Sequence, residues 1–412
     1  MRWNLIIAAV AGAFCLVPPL VTAEPLTLDD ALARAAVRPS LRGAALGVDA
    51  ARARAAGARR AAYNPELSAS AGPQFGAGGL SPRIELGLAQ TLERGGKRRA
   101  RIGEADVLAG GAEVERIGEA LRARVETWRT FEHALVARER VQTRREIEDL
   151  ATALATAMQA TARAGGTTTL RANVLVADAG RVRQERFAAE GELVTALAEL
   201  ARAIGAPPGE VLDPVGALAM LREPPEHGDD AIRHLVSGHP ELARADAAVA
   251  AASARRAVAS SRAVGDITLG VGYAYDPDPD GSHAVVGTVS IPLGVRNRNQ
   301  GERAATRIEV AHAQLDRDQT RAEIERGARL AYDRYALARG AVSGFDATII
   351  DHLHANLSAA QEAFTRGGLD FAELATTQRE LVAARIAYLD AYAAALDDWA
   401  DLALAAATEV AP

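Results

Sequence analysis

The sequence predicts a mainly α fold that is internally duplicated and carries four β-strands. Pairs of landmarks lie about 200 residues apart, and self-similarity at a fixed offset indicates a repeated structural unit. The chain is also rich in alanine, with 24% charged and only 4% aromatic residues, which favours long, closely packed helices over a thick core. The landmarks are helix starts at Asp30 and Asp230, strand ends at Leu92 and Leu293, and paired glycines at Gly165-Gly166 and Gly367-Gly368.

The N-terminus has the layout of a cleaved secretory signal peptide over residues 1–23. Arg2 precedes the apolar run Leu5–Leu20, and the small residues of Val21-Thr22-Ala23 end it. An uncleaved anchor helix is the alternative, although the run is short and contains two prolines. Cys15, the one cysteine of the sequence, fits a lipoprotein cleavage box poorly. Removal of the leader would take Cys15 with it and leave a chain without disulfides or thiolate metal ligands.

The first predicted repeat spans residues 24–206. It begins with a charged helical periodicity, continues with an alternation of period two, and ends with a long helical stretch that contains no proline. At 1.5 Å per residue the long helix would span about 100 Å, which indicates a coiled-coil-like element. The predicted elements are a helix over Leu26–Ala62 with an interruption near Pro39, a β-hairpin over 66–92, a helix over Lys97–Arg163 and a return helix over Thr167–Ile204.

A proline-rich linker is predicted over 207–228, and the second repeat over 229–412. The second repeat is expected to follow the order of the first, with one uninterrupted helix from Gln300 to the Gly367-Gly368 turn. Its other predicted elements are a helix over Ala231–Arg262, a β-hairpin over 265–293 and a return helix over Leu369–Ala407.

The four predicted strands each have about ten residues and one apolar face, which is the length that crosses a bilayer. A membrane strand must belong to a closed barrel, and four strands are too few to close one. Either other copies of the chain complete the barrel, with a trimer supplying twelve strands, or the hairpins pack on soluble helices. Net charge is −6, with basic and acidic residues interleaved, so nothing favours nucleic acid as a partner.

Three motifs resemble TolC-like outer membrane efflux proteins, particularly the branch that serves cobalt–zinc–cadmium and copper efflux. The resemblance covers nearly the whole chain after the leader. It implies a homotrimer in the outer membrane of a Gram-negative bacterium, with a twelve-stranded barrel continued by a long periplasmic α-helical barrel. It also implies a periplasmic adaptor and an inner-membrane resistance-nodulation-division pump as partners. The motifs are Asn64-Pro65-Glu66-Leu67, the run Gln90–Arg98, and Ile291-Pro292-Leu293 followed by Arg298-Asn299-Gln300-Gly301.

The two strand-to-helix corners are candidate site residues. Glycines supply the unusual φ values of such a turn, and a proline fits a strand end. The basic residues that follow would face the membrane-proximal surface or pair across protomers, or simply form a solvated helix start. The corner residues are Gly95, Gly96, Lys97 and Arg98 in the first repeat, and Pro292, Arg298, Asn299 and Gly301 in the second.

The paired glycines should form the periplasmic tips farthest from the strands, where an adaptor would make contact. By the resemblance, Glu373 falls where an acidic residue commonly lines the closed aperture, and Asp370 would join it. In a trimer such carboxylates form a ring that favours cations. The alternative is that both acids favour a helix N-terminus through capping and the helix dipole.

No catalytic triad, phosphate-binding loop or dinucleotide fingerprint occurs in a credible setting, and the eight histidines are scattered. We therefore expect no enzyme activity, no cofactor and no metal site. The expected function is an exit duct for divalent heavy-metal ions. A duct for drugs or secreted proteins, or a periplasmic coiled-coil scaffold without a pore, is the alternative.

Overall fold

A computed structural model describes residues 24–76, 79–224, 229–276, 282–345, 347–369 and 371–406. The predicted leader and Asp370 lie outside the described residues. The elements in chain order are β1 Pro25–Leu26, α1 Leu28–Ala36, α2 Pro39–Ala58, β2 Glu66–Gly76, β3 Gly79–Leu92, α3 Lys97–Arg163, α4 Thr169–Ile204, β4 Asp213–Pro214, α5 Asp229–Ser237, α6 Pro240–Ser261, β5 Ile267–Asp276, β6 Ser282–Ser290, α7 Gln300–Ser343, α8 Ala347–Thr365 and α9 Phe371–Ala406.

The helix α3 dominates the fold, with 67 residues and the bounds that the sequence predicts. It packs on α1, α2, α4, α6 and α9. Its apolar positions Val125, Trp128, Phe131 and Leu135 are each at most 4% exposed and enter two neighbouring core clusters. The prediction of a mainly α fold is thereby confirmed.

The predicted interruption near Pro39 separates α1 from α2, because Pro39 occupies the first turn of α2 and has no N–H to continue the earlier helix. A capping box starts α1. The amide of Asp30 donates to Thr27 Oγ1 at 3.2 Å, and the amide of Thr27 donates to the Asp30 carboxylate at 3.4 Å.

Two helices predicted as continuous in the second unit are broken. The helix predicted over Ala231–Arg262 divides into α5 and α6 at Pro240, with His239 as the N-cap of α6. The helix predicted from Gln300 to the Gly367-Gly368 turn ends at Ser343. The chain resumes as α8 beyond Gly344, and glycine disfavours a helix interior because its backbone loses the most conformational freedom on folding.

The linker is also more ordered than its proline content suggests. Within it, β4 pairs in parallel with β1, so the start of α1 and the linker are held together. The second hairpin is shorter than predicted, because β6 ends at Ser290 rather than reaching Leu293. Pro292 has no amide hydrogen with which to continue the ladder.

The four long strands form one antiparallel sheet in the order β2-β3-β5-β6. Leu86 lies opposite Ala69 on one side and Tyr273 on the other, and Tyr273 lies opposite Val285. The two hairpins of the duplicated units are therefore joined edge to edge through β3 and β5.

The helices are arranged in two levels. Beside the sheet, α2 packs on α3, α3 on α6, and α6 on α7; towards the glycine turns, α4 packs on α3, α3 on α9, and α9 on α8. Within the described ranges, no helix is both long and apolar enough to cross a bilayer.

Candidate functional site

The sheet presents one apolar face and one face of small and polar residues. Register places Leu67, Leu88 and Val271 side by side on the apolar face, and Ser68, Gly87 and Gly272 on the other. The apolar face is not covered by the protomer's own helices. Leu67 is 80% exposed, and the other large apolar side chains on this face that are strongly exposed are Ile84, Leu86, Leu88, Leu92, Leu269, Val271, Tyr273, Val285 and Val289.

At the first corner, Gly95 and Gly96 both have left-handed backbone conformations, with φ of +67° and +77°. A Cβ on Gly95 would lie 2.6 Å from Val264 Cβ and 3.0 Å from the carbonyl oxygen of Ser261. No atom lies within 4 Å of a Cβ on Gly96. Two constraints therefore require glycine at position 95: its left-handed φ and the close approach of the second unit.

The carboxylate of Asp266 ties this corner to the second unit. It accepts hydrogen bonds from Lys97 Nζ at 2.8 Å, the Arg94 amide at 3.1 Å and the Tyr63 hydroxyl at 3.0 Å. Burial disfavours ionisation of Asp266, but these donors outweigh it and hold its pKa below the ordinary value. No sequence motif marks Asp266 or Tyr63 as site residues.

The basic residues of the first corner do not all act in the same way. Lys97 is paired inside its own protomer with Asp266, and Arg101 with Glu93 at 2.6 Å. Arg98 donates to the carbonyl oxygen of Arg59 at 2.9 Å. Within its own protomer, Lys97 therefore joins the first unit to the second.

The second corner uses an asparagine where the first uses glycine. Asn299 has a φ of +56°, its amide donates to Asn297 Oδ1 at 2.9 Å, and its side chain donates to the carbonyl oxygen of Ala259. Arg298 Nε donates to the carbonyl oxygen of Gly294 at 2.7 Å. Nothing lies within 4 Å of a Cβ on Gly301.

Pro292 packs against Gly265 so closely that a Cβ there would lie 2.5 Å from Pro292 Cγ.

The two glycine turns have the same helix-ending geometry. Gly165 and Gly367 have φ values of +76° and +75°. The amide of Gly166 donates to the carbonyl oxygen of Thr161, and that of Gly368 to Ala363, at 2.9 Å each, which is the Schellman pattern. The turns therefore reverse the chain at a defined residue.

Both glycine turns lie at the same end of the molecule. Leu150 and Leu154 of α3 pack against a cluster formed by Leu357, Leu374 and Leu381 of α8 and α9. The ends of the α3–α4 and α8–α9 hairpins are therefore neighbours, on the side away from the sheet.

Of the two candidate gate residues, the described part of the chain contains Glu373, which is exposed in the first turn of α9. In the first unit, Arg171 stands at the position that matches Glu373, and its amide donates to Thr168 Oγ1 at 3.4 Å, so that Thr168 caps α4. The two tips thus differ in charge as well as in sequence.

A buried acid that no sequence motif marks lies near the middle of α3. Glu132 is 2% exposed, and its carboxylate accepts from the Ala219 amide at 3.2 Å. Burial raises the pKa of Glu132 above its usual value. The Tyr392 hydroxyl donates to the carbonyl oxygen of Ala219 at 2.5 Å, and that of Tyr335 to the carbonyl of Arg222 at 2.6 Å.

These contacts hold linker residues 219–222, here called the linker strap, against α3, α7 and α9. Burial also raises the pKa of Tyr335 to about 12, so this donor keeps its proton throughout the neutral range.

In the ranges that the structure describes, no three His, Cys, Asp or Glu residues converge in a way that would hold a metal ion. His133 Nε2 lies 2.8 Å from Asp397 Oδ1, a pair that joins α3 to α9. What the site residues do have in common is position: they turn the chain at its two ends and tie the two units together.

Comparison with known proteins agrees with this architecture. The sequence profile of the family described as outer membrane efflux protein matches residues 28–206. The cobalt-zinc-cadmium resistance protein CzcC of Cupriavidus metallidurans is 27% identical over 305 residues, which cover 72% of this chain and 71% of that protein.

Solved structures share the fold across almost the whole chain. CusC, whose structures concern folding and transmembrane channel formation, superposes with a TM-score of 0.74 at 17% identity, over 92% of this chain and 91% of that one. The CmeC outer membrane channel of Campylobacter jejuni gives 0.76 at 13% identity, over 98% and 94%. The resemblance to TolC-like outer membrane efflux proteins and their heavy-metal branch is thereby confirmed.

Proposed function

We propose that this chain is an outer membrane efflux protein, and that it forms the trimeric exit duct of a tripartite, proton-driven efflux system for divalent heavy-metal cations. The observation that carries the proposal is the position of its exposed edges. At every level of the molecule, one open edge belongs to the first unit and the other to the second.

The sheet has open edges at β2, from the first unit, and at β6, from the second. Its exposed apolar face suits lipid, where every backbone hydrogen-bonding group must be paired. Pairing of β6 with β2 of the next copy would remove both edges. One copy is too small to close a barrel, and three copies supply twelve strands.

Beside the sheet, the packing order leaves α2 and α7 at the margins. The exposed face of α7 carries Ile308 and Leu315, seven residues apart, and then Leu330 and Leu337 with the same spacing. This is the repeat of a coiled-coil seam. At the opposite margin, α1, α2 and α3 line a cleft of about 920 Å³ that includes Leu41, so an apolar seam and a groove face opposite ways.

Towards the tips, the packing order leaves α4 and α8 at the margins. Leu170, Val174, Phe187 and Val194 lie exposed along α4, and their exposed fractions range from 51% to 74%. The sheet, the helices beside it and the helices towards the tips therefore all favour the same head-to-tail contact, between the first unit of one copy and the second unit of the next. A heterologous contact of this kind closes into a ring when the rotation between neighbouring copies divides a full turn.

Heavy-metal ions are the proposed cargo because of the kinship with CzcC and the corner motifs of that branch. A duct needs no tight metal site, since strong binding would slow release. We propose that the specificity resides in an inner-membrane resistance-nodulation-division pump, and that an adaptor contacts the tips at Gly165, Gly166, Gly367 and Gly368.

We also propose that Asp370 and Glu373 line the periplasmic aperture, where three copies would place a ring of acids around the path of a cation. Catalysis plays no part in this function.

The cargo is tested by metal tolerance. A strain that lacks this gene but keeps its adaptor and pump should become sensitive to cobalt, zinc, cadmium or copper salts. The wild-type gene should restore tolerance and metal efflux. Sensitivity to drugs with unchanged metal tolerance would assign the duct to another cargo.

A further inference from the structure

A basic belt surrounds the end of the sheet where strands meet helices. We define it as residues 59–66, 93–101, 262–266 and 291–303. The belt contains eleven lysine and arginine residues but only four acids, within a chain whose net charge is −6. The cations are Arg59, Arg60, Arg94, Lys97, Arg98, Arg99, Arg101, Arg262, Arg296, Arg298 and Arg303, and the acids are Glu66, Glu93, Asp266 and Glu302.

Intramolecular ion pairs explain only three of these cations. Lys97 and Arg101 are paired within the belt, and Arg59 pairs with Asp106 at 2.9 Å. The other eight arginines are exposed, and none forms an ion pair with an acid in the described ranges. Arg98 and Arg298 donate to main-chain carbonyl oxygens, and these bonds leave their charges uncompensated.

Helix stability does not explain the excess either. The first turn of α3 contains no acid and carries Arg98 and Arg99. Cations are unfavourable there because the N-terminal end of a helix already carries partial positive charge. A segment that opposes its local structural preference in this way points to a functional demand.

The belt is continuous with the exposed apolar face of the sheet. Leu92, the last residue of β3, is 47% exposed and directly precedes the first group of cations. Leu293 and Val295, which lie within the belt, are 81% and 76% exposed. Apolar side chains and guanidinium groups therefore meet along one boundary.

We infer that the basic belt binds the phosphate groups of anionic phospholipids at the membrane surface that borders the sheet. The inference rests on the proposed insertion of the sheet into a membrane. The apolar face would enter the acyl region while arginine side chains donate to phosphate oxygens, for which the planar guanidinium is well suited. Arginine side chains near an anionic surface favour partitioning onto that surface.

The test offers purified protein to two vesicle populations in one tube, separable by density. One contains phosphatidylcholine alone, and the other contains phosphatidylcholine with phosphatidylglycerol. Wild-type protein should insert into the anionic vesicles with about a tenfold preference at low salt, and the preference should shrink at high salt.

The variant combines Arg94→Gln, Arg99→Gln and Arg296→Gln, because no hydrogen bond or ion pair holds these side chains in the described structure. Its preference should fall to about twofold or less. The matched control combines Arg163→Gln, Arg171→Gln and Arg326→Gln, which removes the same charge from exposed positions away from the sheet. The control should keep the wild-type preference.

An unchanged preference in the belt variant, or equal insertion of wild-type protein into both vesicles, would overturn the inference while leaving the duct intact. Failure to insert into either vesicle would overturn the proposed function and this inference with it. Circular dichroism checks that the variant folds. Should it misfold, a wild-type preference that does not respond to salt would still overturn the inference.

Discussion

At the residue scale, the turn from β3 into α3 depends on a glycine whose hydrogen faces the second unit. We predict that Gly95→Ala destabilises the protein by about 2 kcal/mol or more, because the new methyl group is strained by the left-handed φ and also collides with Val264. Thermal unfolding in detergent measures the effect. Gly96→Ala is the control, since it has the same strain without the collision and should cost about 1 kcal/mol. Equal losses in the two variants would contradict this explanation of Gly95.

Asp266 should make the same corner sensitive to acid. Its pKa is lowered in the folded protein, so its contribution is complete above the unfolded-state pKa and is lost as pH falls through the folded-state pKa. Asp266→Asn should therefore reduce stability by about 2 kcal/mol at neutral pH.

The stability difference between wild type and Asp266→Asn should shrink below about pH 4, where the carboxylate becomes protonated. Unfolding measured across this range gives the test. A difference that does not depend on pH would mean that side-chain packing, rather than charge, explains the loss.

At the element scale, the linker strap encloses the buried Glu132. Because burial raises the pKa of Glu132, the ionised form opposes folding at neutral pH and the penalty disappears as pH falls below the unfolded-state value. Glu132→Gln retains an oxygen that can accept from Ala219. We predict a higher melting temperature for this variant at neutral pH and no gain at about pH 4.

Glu139→Gln is the control for this prediction, since Glu139 is exposed on α3 about two turns away. Its melting temperature should match wild type at both pH values. A loss of stability in Glu132→Gln at neutral pH would show that the charge itself is needed to hold the strap.

The sequence predicts some of these elements much better than others, for physical reasons. The bounds of α3 follow from its lack of proline and from the glycine pairs just outside its two ends. The apolar face of β5 follows from strict alternation. The breaks at Pro240 and Gly344 are harder to predict, because a proline or glycine is compatible with either a helix or its end.

The site residues that the sequence does not reveal act over long separations. Asp266 meets Lys97 across 169 positions, and Glu132 meets Ala219 across 87. No local pattern records such contacts. The sequence places Asn299 at the second corner, but only the backbone of the structure reveals its left-handed conformation.

At the scale of the whole molecule, the apolar seam on α7 should matter for assembly more than for the folding of one copy. Leu337 is 77% exposed, so Leu337→Glu should leave the helical content of the protomer unchanged. We predict that this variant dissociates into monomers in mild detergent, because a charge would be buried between copies. Size-exclusion chromatography with light scattering measures the mass.

Val211→Glu is the matched control, since Val211 is 60% exposed on the linker, outside the seam. It should keep the wild-type mass. Identical masses for the Leu337→Glu variant and wild type would remove α7 from the proposed contact.

We propose that copies of this chain close head to tail into one outer-membrane duct. The most direct measurement separates the two membranes on a density gradient, extracts the protein from each fraction with detergent and determines its mass by light scattering. We expect a trimer, found in the outer-membrane fraction. A monomer recovered from the soluble periplasmic fraction would contradict the closed barrel and favour a scaffold without a pore.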